Sequence, residues 1–207
     1  LHTVITGPPG VGKTELGKIL GKVYKGMGVL SKGHVKVVSR SDLIGKYLGH
    51  TAAKTQEVID ECSGGVMFID EAYSLGNSEG RDSFSKECLD TLNQNLTERR
   101  DFLCIIAGYK ESLDTCFFNY NPGLKRRFTF KYDILDYSPC ELKDIFNLKI
   151  HKEGWQTEYV VTANDSPEVV MNKHSIEQNV VHFFTEHMQF FPHFGGDVET
   201  YFLNCKI

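Results

Sequence analysis

Residues Gly7-Pro8-Pro9-Gly10-Val11-Gly12-Lys13-Thr14 fit the pattern G-x-x-x-x-G-K-[ST], the spacing of a loop that cradles polyphosphate. Glycines at 7, 10 and 12 let successive backbone N–H groups turn inward around an anion. A helix starting at Lys13 adds the partial positive charge of its N-terminus. The Lys13 side chain is long enough to reach β- and γ-phosphates, and the Thr14 hydroxyl is a ligand type for Mg²⁺. The expected nucleotide contacts are Pro8, Pro9, Gly10, Val11, Gly12, Lys13, Thr14 and Glu15. A Gly/Pro-rich turn followed by a chance Lys-Thr is the plain alternative. The complete spacing, with an apolar run before it and helix-forming residues after it, weighs against that.

A phosphate loop alone implies binding only. Hydrolysis also needs a metal anchor and a group that orients or deprotonates water. Asp70-Glu71 follows the apolar run Val66-Met67-Phe68-Ile69, and carboxyl ends of strands are where open α/β sheets bind ligands. Asp70 is the expected partner of Thr14 in holding Mg²⁺, and Glu71 the expected base toward the γ-phosphate. The competing reading is an acidic pair that caps a strand in solvent.

The surrounding pattern supplies the elements to position these groups. Leu1–Thr6, 34–39, 66–69, 102–107 and 128–134 read as strands, and 13–27, 51–62 and 82–100 as helices. Strands alternating with helices predict a parallel five-stranded sheet flanked by helices, an α/β P-loop NTPase architecture. In the helix over 51–62, Ala53, Val58 and Ile59 are the expected buried positions; in 82–100 they are Phe84, Cys88, Leu89, Leu92 and Leu96. Beyond Ile134 the pattern turns helical. Ser138-Pro139-Cys140-Glu141 is a capping-box start, followed by irregular sequence at 156–174 and helices over 175–189 and 198–205. The expected division is a large α/β nucleotide-binding unit at 1–135 and a small helical second unit at 136–207, which the resemblance named below makes a lid.

Length and composition agree with an ordinary globular protein: 207 residues, 41% apolar and 24% charged. The net charge of −4 and the absence of a basic stripe disfavour non-specific nucleic-acid binding. No apolar run has the length of a membrane span and no secretory pattern opens the chain. The opening on a strand suggests a trimmed N-terminus. The six cysteines show no C-x-x-C pair, which suits reduced thiols in a cytoplasmic location. His182 and His187 are five residues apart, off a shared helical face, and read as packing or surface residues rather than metal ligands.

Taken together these blocks resemble the AAA+ ATPases. They are most similar to the branch containing the red-type Rubisco activase CbbX, stage V sporulation protein K and the type VII secretion ATPase. The carrying residues are Gly7–Thr14, Asp42–Thr51, Gly64–Leu75, Ala107-Gly108-Tyr109 and Asn121–Phe128. The resemblance spans residues 1–134 and continues beyond them only in outline. It implies ATP and Mg²⁺ as cofactors, a homo-oligomeric ring (a hexamer) with ATP between neighbours, and a protein client. It aligns Arg127 with the arginine finger, with Arg126 as the close second; a basic surface pair before an edge strand is the other reading. It aligns Tyr47 with a central-pore aromatic, flanked by Lys46 and Leu48, the other reading being a core tyrosine that anchors its loop.

Two places depart from the wider pattern. Gly108-Tyr109 stands where many relatives carry an Asn or Thr that orients water. Tyr109 is the candidate there, against a packed core tyrosine. In the lid, Phe194-Gly195-Gly196-Asp197-Val198-Glu199-Thr200 stands where the branch carries an arginine, and no arginine follows Arg127. Either Lys206 or another residue substitutes, or the lid senses nucleotide through packing alone. The segment that contacts adenine in such proteins would precede residue 1. The leading expectation is an ATP-driven protein remodeller. The alternatives are an ATP-gated assembly module with little turnover and a nucleic-acid-directed loader, with a small-molecule P-loop kinase behind them.

Overall fold

Short runs of β-branched and aromatic residues between glycines form strands only if both faces are covered. In the computed structural model, which describes residues 1–47, 49–76, 82–154 and 178–205, this is what the first part of the chain does. Strands β1 (His2–Thr6), β2 (Val35–Val38), β3 (Val66–Ile69), β4 (Leu103–Gly108) and β5 (Phe128–Asp133) form one sheet in the order β2-β3-β4-β1-β5. Every neighbouring pair is parallel, with Val4 opposite Ile106 and Ile69 also opposite Ile106. Strands β1, β3 and β4 are buried throughout. β5 lies at an edge and is exposed after Phe128, which accounts for its more polar sequence.

Helices α1 (Lys13–Gly26), α2 (Arg40–Leu43), α3 (Thr51–Glu61), α4 (Ser83–Glu98), α5 (Lys110–Ser112) and α6 (Pro122–Arg127) connect the strands. A 3₁₀ turn at Ala72–Leu75 follows β3, and a π-helical turn at Leu113–Phe118 continues α5. The latter turns and α6 were not expected from the sequence. One core packs Ile69, Leu89, Leu92, Ile106, Phe117 and Phe128 on one side of the sheet; a second gathers Ile5, Phe68 and Ile105 with Leu16 and Leu20 of α1 on the other.

The expected core positions hold with two corrections. Ala53 is exposed, and the buried positions of α3 are Thr51, Thr55, Val58 and Ile59. The threonines tolerate burial because their hydroxyls are satisfied: Thr51 Oγ1 accepts from the Gly45 N–H at 3.1 Å and Thr55 donates to the Leu43 carbonyl at 3.1 Å. In α4, Phe84 is half-buried while Ser85 is fully buried.

His2, read as part of an apolar strand, is a buried polar residue of β1. Its Nδ1 accepts a hydrogen bond from the Cys104 N–H at 3.0 Å. Burial is the largest cause that pushes its pKa from 6.5 down to about 4. Between those values the unfolded chain binds the proton and the folded chain does not, so stability rises with pH across that window. As pH falls from 6.5 to 4, this one group is expected to remove on the order of 3 kcal/mol of folding stability. Urea unfolding midpoints across that range check this: the difference between the protein and His2→Gln, which keeps an acceptor but cannot titrate, shrinks or reverses as the pH drops.

The structure divides into two compact units, Leu1–Pro8 with Lys13–Ile134, and Pro9–Gly12 with Leu135–Ile207. In the second, α7 (Pro139–Lys152) starts at a capping box between Ser138 and Glu141. Residues 178–187 form α8, a 3₁₀ turn follows at Met188–Phe190, and α9 runs Gly195–Asn204. Its core is aromatic: Phe146 lies 6.2 Å from Phe184 and 6.0 Å from Phe202, edge to face. Lys149 pairs with Glu199 at 2.6 Å to tie α7 to α9. The irregular stretch at 156–174, the first three residues of the helix expected over 175–189, all but Gly76 of the polar stretch 76–80, and Lys206 lie outside the described residues. Among the described residues no helix is long and apolar enough to cross a membrane.

Candidate nucleotide site

Parallel register puts the carboxyl ends of β1, β3 and β4 along one edge of the sheet. The loop 7–14 leaves β1 there, Asp70-Glu71 leaves β3 there, and Tyr109 leaves β4 between them. β1 and β3 are separated by β4, yet Thr14 Oγ1 donates to Asp70 Oδ2 at 3.1 Å. A hydroxyl and a carboxylate so placed are the oxygen donors that Mg²⁺ takes in nucleotide sites, and the pair fits that ion.

Lys13 lies back across the loop, its Nζ donating to the carbonyls of Gly7 at 3.0 Å and Pro8 at 2.7 Å. Burial lowers its pKa, and Asp70 and Glu71 oppose that shift. The same Nζ sits 5.8 Å from the centre of the Tyr109 ring. Tyr109 is 41% exposed, so it is no core residue. Its ring leans on Tyr73 with centroids 5.8 Å apart. Burial first, then the Glu71 charge and a hydrogen bond to it, hold the Tyr73 phenol above its usual range. Tyr73 was not singled out from the sequence, although it lies within the Asp70–Leu75 block.

Glu71 is exposed and adopts φ 49°, ψ 45°, a left-handed conformation that costs a non-glycine residue about 1–2 kcal/mol. Its N–H donates to Asp70 Oδ1 at 3.1 Å, and its carbonyl accepts from the Ser74 N–H at 2.8 Å. Glu15 is exposed and pairs with Lys18 at 2.6 Å.

At the same edge Thr6 donates its hydroxyl to Asp133, and Lys110 pairs with Asp133 at 3.1 Å. The Thr6 bond, then Lys110, hold the Asp133 carboxyl below its usual range. No motif in the sequence marked these residues.

The loop tip Pro9–Gly12 belongs to the second unit. The Tyr137 hydroxyl donates to the Val11 carbonyl at 2.8 Å. Gly10, at φ 76°, has no room for a side chain: a Cβ there would stand 1.8 Å from the His193 carbonyl oxygen. A Cβ at Gly195 would be 3.0 Å from the Gly10 carbonyl oxygen. Within this unit the backbone at His193 and Gly195 thus lies directly against the loop tip.

Arg126 and Arg127 are not brought to this edge. They end α6 just before Phe128, which pairs with His2 at the opposite end of β1. Over five residues at about 3.3 Å each, the two ends of β1 are about 13 Å apart. Arg126 is exposed, while Arg127 is half-buried, its Nε donating to Thr97 Oγ1 at 3.0 Å and Nη1 to the Gly123 carbonyl at 3.0 Å. Tyr47 is 68% exposed, so the core-anchor reading of this residue fails. Its ring packs edge-on against His50 at 5.6 Å. Lys46 is exposed, and Leu48 lies outside the described residues. His182 meets Glu186 at 3.2 Å and His187 bonds the Phe183 carbonyl at 2.9 Å. No metal-holding group of His, Cys, Asp and Glu occurs among the described residues.

Comparison with known proteins agrees with this architecture. The chain is 43% identical over its whole length to the cfxQ-like protein R730 of Acanthamoeba polyphaga mimivirus, of which it covers 48%. It is 43% identical over 75% of its length to stage V sporulation protein K of Bacillus subtilis, covering 48% of that protein. It is 40% identical over 72% of its length to the chromosomal protein CbxX of Cupriavidus necator, covering 47%. The chain thus spans about half the length of these curated relatives. Among solved structures, the FIGL-1 AAA domain in complex with ADP shares the fold, with a TM-score of 0.55 at 22% identity over 96% of this chain and 64% of that one. Residues 3–134 match the family described as ATPase family associated with various cellular activities, and the chain belongs to that AAA family.

Proposed function

We propose that this AAA chain hydrolyses ATP at a site completed by a neighbouring copy and uses the Tyr47 loop to pull on a protein client. The observation that carries the hydrolysis reading is the 3.1 Å contact between Thr14 and Asp70 with Glu71 next in the chain. It joins the phosphate loop to the acidic pair across an intervening strand. Pro8–Thr14 and Glu15 would surround the phosphates. Thr14 and Asp70 would hold Mg²⁺, which supplies charge neutralisation on the phosphate oxygens when bound. Lys13 then exchanges its loop carbonyls for phosphate oxygens. Glu71 accepts the proton of the attacking water, and Tyr109 offers a hydroxyl beside Lys13 to orient it.

Arg127, with Arg126 beside it, faces the wrong end of its own sheet to reach its own nucleotide. A copy of the chain set beside it, in a hexameric ring, would receive it. A guanidinium stays charged and binds planar oxygens in pairs. Tyr47, exposed beside Lys46 and Leu48, gives a large amphipathic surface that grips polypeptide without reading sequence.

A second reading, an ATP-gated assembly module with little turnover, is favoured by the arginine-free lid. Phosphate release with ATP and Mg²⁺ separates the two. The hydrolytic reading expects turnover that Lys13→Ala abolishes. It also expects stimulation by a chemically unfolded, labelled polypeptide, which Tyr47→Ala removes. ATP-driven assembly with phosphate release no higher than Lys13→Ala would install the gating reading instead.

A further inference from the structure

The left-handed turn at Glu71 cannot hold itself. A non-glycine residue at φ 49° persists only where its surroundings restrain it. Besides the Glu71 N–H bond to Asp70 and the Tyr73 bond to the Glu71 carboxylate, a restraint on the turn comes from Arg40, the first residue of α2. Its Nη1 donates to the Ser74 carbonyl at 2.7 Å and to Ser85 Oγ at 2.9 Å, and its Nη2 to Asp82 Oδ2 at 2.7 Å. The chain of bonds closes on Glu71, because the Ser74 N–H is donated to the Glu71 carbonyl at 2.8 Å.

The other end of the tether is rigid. Asp82 caps α4 by accepting from the Phe84 N–H at 3.0 Å and takes a second bond from the buried Ser85 hydroxyl at 2.7 Å. Tyr120 donates to the Asp82 carbonyl at 2.8 Å. The Ser85 and Arg40 bonds hold the Asp82 carboxyl ionised, below its usual range. On the near side, Arg40 stands two residues beyond Val38, whose carbonyl accepts from the Asp70 N–H at 3.3 Å. One guanidinium, two residues beyond the end of β2, therefore joins the turn after Glu71 to the cap of α4. A planar fork with several donors does this; a lysine's point charge does not.

We infer that Arg40 is a positioning residue for hydrolysis: it fixes the 72–75 turn and thereby the direction of the Glu71 carboxylate, without touching nucleotide. The inference rests on Glu71 being the base. Arg40→Gln is expected to lower kcat for ATP about ten- to hundred-fold with KM unchanged, the scale of a misplaced catalytic group. Arg40→Lys restores part of kcat. The decisive measurement is the double variant. If Arg40 acts through Glu71, adding Arg40→Gln to Glu71→Gln changes residual turnover by less than about two-fold. Losses that multiply would mark a merely structural role and overturn the proposal, as would an unchanged kcat in Arg40→Gln. Should Arg40→Gln fail to fold by thermal melting, Arg40→Lys and Ser85→Ala carry the same comparison, and unchanged kcat in both overturns it. Wild-type turnover in Glu71→Gln alone would instead show that the base is misassigned.

Discussion

Glu71→Gln is expected to cut steady-state phosphate release by about 10²–10⁴-fold, the range of a lost general base, while ATP affinity stays within about two-fold. The carboxylate is exposed at the carboxyl end of β3, next to the Asp70 that contacts Thr14. Removing its charge leaves the Lys13 contacts to the loop intact. Equilibrium binding of a fluorescent ATP analogue and single-turnover hydrolysis separate the two quantities. Turnover within ten-fold of the unaltered protein would exclude Glu71 as the base.

Arg127→Ala carries the other large effect, a loss of about 10³–10⁵-fold, the contribution of an arginine finger. Two bonds aim this guanidinium, to Thr97 and to the Gly123 carbonyl, so less rotamer freedom remains to be lost when it meets phosphate. Arg126, exposed beside it, is expected to matter less. In the proposed ring the effect is intermolecular, because Arg127 lies at the opposite end of β1 from its own phosphate loop, and mixing tests that. Glu71→Gln and Arg127→Ala subunits are each inactive alone. In a head-to-tail ring assembled at equal ratio, about a quarter of the interfaces combine an intact base with an intact arginine. Phosphate release should recover accordingly. A mixture as inactive as its parts, at concentrations where sedimentation shows assembly, would place the arginine outside the reaction.

The reasons these residues were readable in sequence differ from one to the next. The loop at 7–14 has a spacing that little else requires. Strand β3 announces itself because Val66-Met67-Phe68-Ile69 is apolar on both faces and buried on both. The helical segment at 110–127 was hidden. Its pieces are three to six residues long, one of them a π turn, too short for a 3.6-residue period to emerge. Ala53 was misplaced because apolarity stood in for burial, whereas Thr51 and Thr55 go inside by satisfying backbone groups of the preceding segment. Arg40 and the Thr6–Asp133–Lys110 cluster act through partners distant in the chain. Such pairings leave no local pattern.

Gly10 presses backbone to backbone on His193 and Gly195. No compressible side-chain layer lies in that seam, and interiors so closely packed pass strain on instead of absorbing it. A side chain at position 10 would therefore have to displace the backbone at His193, at the start of the segment that leads into α9.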